Sequence, residues 1–375
     1  MLFRQFSNLD QYLKPGKVLA IFGARRVGKT TLISNYLKEY TGKYRLDSGD
    51  NIKLQSELGS LNFETIFEYV QDYELIVIDE AQNIPQIGQA LKIIVDHFPQ
   101  KKVLVTGSSS FELAGQVGEP LTGRKRVIKL FPLSLLELRK DQSAYNLKQM
   151  LPNLLVYGSY PDILTAKSKK EKRVLLSEVA DSYLLKDILE LEQVKGAKVL
   201  LDLLRLIAYQ IGSEVSTTEL SAKLGIHYKT VMRYLDLFEK AFVLFNLRGY
   251  SRNLRKEISK KSKYYFYDVG IRNAIIGNFN DLEKRDDIGQ LWENFIISER
   301  IKKQSYLPIY ANNFFWRTWD QQEIDWVEER DGTLFGYEIK WSERKNPLAP
   351  KDWQGTYPDA KYQLINKKNF LEFVS

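Results

Sequence analysis

The sequence contains no cysteine, which excludes disulfides, iron–sulfur clusters and cysteine-based zinc sites. No apolar run approaches the roughly 20 residues of a membrane-spanning helix, and the opening stretch MLFRQFSNLDQYLKPGK lacks the apolar core of a signal peptide. The cytoplasm is therefore the expected compartment, without membrane association. Charge is not one-sided either. With 55 Lys and Arg against 47 Asp and Glu, the net +8 is a modest bias toward polyanionic partners. What is present is a globular composition, 44% hydrophobic and 27% charged, over 375 residues. That length predicts roughly two to three domains.

Residues 1–135 read as a first domain. The strand-like run KVLAIF leads into Gly23-Ala24-Arg25-Arg26-Val27-Gly28-Lys29-Thr30, a G-x-x-x-x-G-K-[ST] phosphate loop without a mismatch. TTLISNYLKEY, which follows it, has helical spacing and stops at Thr41-Gly42. Glycines let backbone N–H groups close on phosphate, and the helix N-terminus adds the positive end of its dipole. Lys29 is then placed for the β- and γ-phosphates and Thr30 for Mg²⁺, with Thr31 beside it in the phosphate-binding stretch. Farther on, YELIVIDEAQ reads as a strand ending in Asp79-Glu80. Asp79 is expected to hold a water ligand of Mg²⁺, and Glu80 to orient or deprotonate the attacking water.

The stretch KYRLDSG lies between these motifs, and KKVLVTGSSS and RVIKL follow them. Five strands with intervening helices predict a doubly wound α/β sheet with its ligand at the strand C-termini. This order, with an acidic pair ending the Asp79 strand, resembles the AAA-like ATPases with a catalytic glutamate. The resemblance implies a polar sensor of the γ-phosphate at the end of the next strand, where Thr106 and Ser108 stand. It also implies an arginine finger, often supplied by a neighbouring subunit, which makes Arg124 in LTGRKR a candidate and a homo-oligomer its corollary. A solvated basic loop is the alternative for Arg124. The guanine motif N-K-x-D is missing, NKKN at 366–369 being imperfect and remote, so ATP is expected rather than GTP.

Residues 136–205 have mainly helical spacing and read as a connector or lid. In residues 206–285, STTELSAKLGIHYKTVMRYLDLFEK has helix-turn-helix spacing, with Thr217 or Thr218 as cap and Gly225 at the turn. The second helix buries Val231, Leu235 and Phe238 and presents His227, Lys229, Thr230 and Arg233 early, where base or phosphate contacts are made. Strands FVLFNLRGY and KYYFYDVG complete a winged-helix pattern. Between Arg248 and Lys263 seven basic residues face one acidic one, including Arg252, Arg255, Lys256, Lys260 and Lys261. DNA phosphates are the expected partner. A winged helix used for protein contacts is the alternative.

Residues 286–375 form the last predicted domain. DIGQLWENFIISERIKK places Ile288, Leu291, Trp292, Phe295 and Ile296 on one helical stripe, with Glu293 at its border and Glu299 inside it. EIDWVEERDGTLFGYEIKW then reads as a hairpin around an Asp331-Gly332 type I′ turn. With that turn, Asp325 faces Glu338 and Glu323 faces Lys340, while Ile324, Trp326, Tyr337 and Ile339 point to the core. Opposed carboxylates are destabilising unless a cation sits between them. Glu293, Asp325 and Glu338-Ile339-Lys340 resemble the core of the PD-(D/E)xK nuclease superfamily. The resemblance implies Mg²⁺ held by Glu293, Asp325 and Glu338, with Lys340 orienting the attacking water. A salt-bridged hairpin without metal is the alternative.

The whole order of motifs resembles a large family of bacterial and archaeal AAA-like ATPases with a C-terminal domain of uncharacterised function. The predicted fold class is α/β: a doubly wound P-loop sheet, a helical connector with a winged helix, and a C-terminal restriction-endonuclease-like domain. The expected activity is ATP hydrolysis coupled to DNA binding, with Mg-dependent DNA cleavage as a second activity. Its rival is a nucleotide-switched regulatory protein whose C-terminal domain binds without cleaving.

Overall fold

The computed structural model describes residues 2–108, 120–192, 196–251, 262–343 and 348–375, with side chains from 181 to 192 left undescribed. The chain starts with β1 (Val18–Phe22), α1 (Lys29–Glu39), β2 (Tyr44–Ser48), α2 (Ile52–Gly59), α3 (Phe63–Val70), β3 (Leu75–Asp79), α4 (Ile87–His97), β4 (Lys102–Gly107) and β5 (Lys125–Lys129). These strands form one parallel sheet in the order β2-β3-β4-β1-β5, as a doubly wound sheet requires. β1 is buried along its whole length, and so is most of β3, because helices cover both faces of interior parallel strands. Parallel pairing also fixes where the chemistry lies. The register Ile21↔Thr106 and Ser48↔Asp79 brings the ends of β1, β2, β3 and β4 to one edge.

The middle is helical: α5 (Leu135–Leu138), α6 (Ala144–Tyr157), α7 (Pro161–Thr165), α8 (Lys169–Glu192) and α9 (Ala197–Tyr209). After β6 (Glu214–Val215), α10 (Thr217–Leu224) and α11 (Tyr228–Lys240) form the expected helix-turn-helix, with Gly225 left-handed at φ 64°. The cap of α10 is Ser216, whose side chain accepts from the Glu219 N–H, rather than Thr217 or Thr218, both of which are already helical.

β7 (Leu244–Gly249) and β8 (Ser262–Phe266) pair antiparallel. They lead to α12 (Val269–Ile275), α13 (Ile288–Tyr306), β9 (Asn312–Arg317), β10 (Glu323–Arg330), β11 (Thr333–Ile339), α14 (Lys351–Thr356), β12 (Lys361–Ile365) and α15 (Phe370–Val374). β7 also pairs in parallel with β9, Arg248 opposite Phe314. Among the described residues a single mixed sheet therefore runs β12-β11-β10-β9-β7-β8-β6. β7 and β8 thus share one ladder with the C-terminal strands.

The hairpin register is the expected one, with Trp326 opposite Tyr337 and Arg330 opposite Thr333. Asp331 and Gly332 both have positive φ, 47° and 76°, as a type I′ turn demands. Leu291, Trp292, Phe295 and Ile296 of α13 are buried, while Ile288 at its start is only half-buried. Glu299 is buried too, and its charge is met by Lys302 Nζ at 2.7 Å and by the backbone N–H of Leu135. Lys302 reaches on to Ser159 Oγ at 3.4 Å, and Asp268 accepts from the Ser159 N–H at 2.8 Å. This buried polar knot joins α13 to the segment that precedes α7. Among the described residues no helix is long and apolar enough to cross a membrane.

Candidate functional site

The phosphate loop connects the end of β1 to the start of α1, an 11-residue helix whose N-cap, Gly28, supplies no side chain to its free N–H groups. Gly28 sits at φ 96°, a conformation that favours glycine. An uncapped helix N-terminus of this kind is built to take an anion. Lys29 is buried, and its ammonium donates to the carbonyl oxygens of Gly23 and Ala24 at 2.9 and 3.2 Å. Thr30 Oγ1 donates to Asp79 Oδ2 at 2.7 Å, which puts the two expected Mg²⁺-site groups side by side. Thr106 Oγ1 donates to the other oxygen of Asp79 and accepts from the Glu80 N–H at 3.1 Å. The expected γ-phosphate sensor thus also holds both acids. Ser108 is buried just beyond the end of β4.

Glu80 has a left-handed φ of 50°, and Gly49 explains how the strands tolerate it. A Cβ on Gly49 would lie 2.2 Å from the Glu80 carbonyl oxygen. That close approach sets Asp50 next to Glu80. Arg25, Arg26, Gly28, Lys29, Thr30 and Thr31 form one wall of a cleft of about 560 Å³, while Asp50, Glu80 and Asn83 form another. Asp50 accepts from Asn83 Nδ2 at 2.6 Å. Pro161 and Asp162 of α7 line the same cleft from the helical middle. Asp50 was legible in principle, since it follows a strand parallel to β3. Asp162 was not, because nothing near it in sequence marks a ligand.

Arg124 does not stand at this cleft. It precedes β5, whose Lys125 pairs with Val18 at the start of β1, so it lies a strand length, roughly 17 Å, from the phosphate loop. Its guanidinium pairs with Asp96. Parallel strands put the beginning of β5 at the far edge of the sheet, so within one chain Arg124 does not reach the phosphate loop, and the expected finger role is left to a neighbouring subunit.

The second cluster lies on the mixed sheet. Asp325 and Glu338 face each other as expected, and Lys340 Nζ lies 3.4 Å from Asp325 and 2.7 Å from Glu338. Asp325 also accepts from the Ile339 N–H at 2.8 Å, and Glu338 Oε2 is buried without a hydrogen-bond partner. Glu293 approaches from α13 and accepts from Tyr265 Oη at 2.6 Å. Burial and the nearby Asp325 charge push the carboxyls of Glu293 and Glu338 well above the usual range. Lys263 of β8 meets Glu323 and lies 3.9 Å from Glu293. Burial alone would lower the Lys263 ammonium, but the charges of Glu293 and Glu323 outweigh it and raise it. The expected Glu323–Lys340 pair is replaced by Glu323–Lys263, because Lys340 turns to Asp325 and Glu338.

The metal set expected of Glu293, Asp325 and Glu338 is not formed: the described residues contain no group of three such side chains arranged to hold an ion. The ammonium of Lys340 takes the place between the acids. In this arrangement the cluster does not fit Mg²⁺.

On α11, Lys229 and Arg233 are exposed beside Tyr228 and Met232, two apolar side chains whose exposure the spacing did not anticipate. Thr230 is half-buried. His227 is the N-cap of α11, its Nδ1 accepting from the Lys229 N–H at 3.3 Å, so part of its role is structural. Arg252, Arg255, Lys256, Lys260 and Lys261 lie outside the described residues.

Comparison with known proteins bears on the first domain and leaves the other two open. Residues 15–139 match the family described as an AAA domain, residues 148–282 the domain of unknown function DUF8612, and residues 288–373 the domain of unknown function DUF4143. An uncharacterized protein of Mycobacterium tuberculosis is 26% identical over 89% of this chain and 72% of its own length. Another, of Haemophilus influenzae, is 25% identical over 90% and 86%. Among solved structures, a Walker-type ATPase of Pyrococcus abyssi aligns with a TM-score of 0.47 at 16% identity, covering 73% of this chain and 94% of its own. The chain thus carries an AAA domain of the P-loop ATPase kind, followed by two domains of unknown function, DUF8612 and DUF4143.

Proposed function

We propose that this protein binds and hydrolyses ATP and couples nucleotide state to DNA binding by its helix-turn-helix. The observation that carries the reading is the chain of hydrogen bonds Thr30–Asp79–Thr106–Glu80 behind an uncapped helix N-terminus. The residues fit Mg-ATP. Backbone N–H groups of the loop and Lys29 would receive the phosphates, and Thr30 and Asp79 would hold the ion, which supplies charge neutralisation at the phosphate oxygens. Glu80, fixed through its N–H by Thr106, is the base for the attacking water and takes its proton. The polar knot around Ser159 gives the lid a rigid link to the mixed sheet.

DNA binding is supported by the exposed Lys229 and Arg233 on α11 and by the basic stretch that follows β7. For the C-terminal cluster, Lys340 between the two acids favours binding without cleavage. The test is phosphate release, together with anisotropy of labelled duplex DNA in ATP, ADP or no nucleotide. Turnover by the wild type and an affinity that changes with nucleotide are expected, and Lys229→Ala should reduce the salt slope by about 1. Absence of phosphate release defeats the ATPase reading, and unchanged affinity in Lys229→Ala and Arg233→Ala defeats the DNA reading. Plasmid and branched DNA with Mg²⁺ or Mn²⁺ are expected to stay intact, and cleavage lost in Lys340→Ala would restore the nuclease.

A further inference from the structure

One ion pair crosses from the phosphate loop to the helical middle. Arg26 Nη1 lies 3.1 Å from Glu178 Oε2 on α8, 152 residues away in the chain. Arg26 also lines the nucleotide cleft and is held at a positive φ of 54°, and neither member of the pair is deeply buried. α8 is not a loose element. Beyond Glu178 it buries Leu176, Val179 and Ala180. Its first turns are tied to the segment before α13 through Lys169–Asp281 at 2.8 Å and Arg173 to the Phe279 carbonyl oxygen at 3.5 Å.

A guanidinium in a phosphate loop can be met both by the carboxylate beside it and by the phosphates of an arriving nucleotide. Phosphate carries more charge and more acceptor oxygens than one exposed carboxylate, and arginine matches its geometry. We propose that Glu178 competes with nucleotide phosphate for Arg26, so that ATP binding exchanges this contact and releases α8 from the loop. Glu178 is on this view an affinity-setting residue of the nucleotide site, contributed by the helical middle. The inference rests on the ATP-binding reading above.

The test is the affinity for a fluorescent ATP analogue in the wild type, Glu178→Gln, Arg26→Gln and the double variant, with Lys29→Ala as control. An exposed pair is worth up to about 1 kcal/mol, so Glu178→Gln is expected to bind roughly two- to fivefold more tightly. Arg26→Gln should bind more weakly, and adding Glu178→Gln to it should change nothing further. Unchanged affinity in Glu178→Gln, or equal tightening in the Arg26→Gln background, overturns the competition. Either result leaves the ATP-binding reading standing as long as the wild type binds and Lys29→Ala does not. A wild type that binds no nucleotide overturns both.

Discussion

The nucleotide cleft and the acidic cluster of the mixed sheet use the same residue types to opposite ends. In the cleft, the buried cation Lys29 is held by backbone carbonyls, while Asp79 accepts from the hydroxyls of Thr30 and Thr106. In the cluster, Lys340 and Lys263 are held by the carboxylates themselves. The first site is electrostatically open and the second is closed on itself. Having acids and a lysine together is thus insufficient for metal chemistry; what counts is which group satisfies the lysine.

Four changes test this contrast. The largest effect is expected from Lys29→Ala, which should lower ATP turnover by about 10²–10³-fold or more, read as phosphate release. Next, Glu80→Gln should reduce kcat by about 10²-fold while nucleotide affinity is kept, a split that separates the base from the binding groups. In the cluster, Lys340→Ala leaves Asp325 facing Glu338 without its cation. Because Lys340 is half exposed, the loss of stability should be about 1 kcal/mol, and Mg²⁺ or Mn²⁺ should then raise the melting temperature of the variant but not of the wild type. If the ion stabilises both equally, the cluster is already open and the contrast breaks.

The smallest effect concerns pH. The Glu293 carboxyl is pushed from 4.5 up to about 8 by burial and by the Asp325 charge. Between those values the folded chain keeps a proton that the unfolded chain has lost, so stability falls as pH rises through this window. Glu293→Gln should remove this group's share of that slope between pH 5 and 8, measured by denaturant melts.

Local signals were legible in the sequence. The phosphate loop, the Asp79-Glu80 strand end, the Gly225 turn and the Asp331-Gly332 hairpin are each contained within a short stretch whose backbone geometry its own residues dictate. The register 325/338 followed from the turn alone, since a two-residue loop leaves no freedom in pairing. Pairings between distant segments were not legible: β7 with β9, Lys263 with Glu323, and Glu178 with Arg26.

The sequence by itself determined that an anion-binding helix terminus is followed by strand-end acids, and that Asp325 must confront Glu338, because these depend on backbone conformation over a few residues. Only the tertiary structure decided that Arg124 lies a strand length from the phosphate loop of its own chain, that β7 and the C-terminal strands are one ladder, and that Lys340 reaches both acids. Those outcomes depend on strand direction and on which distant charge reaches a buried carboxylate first.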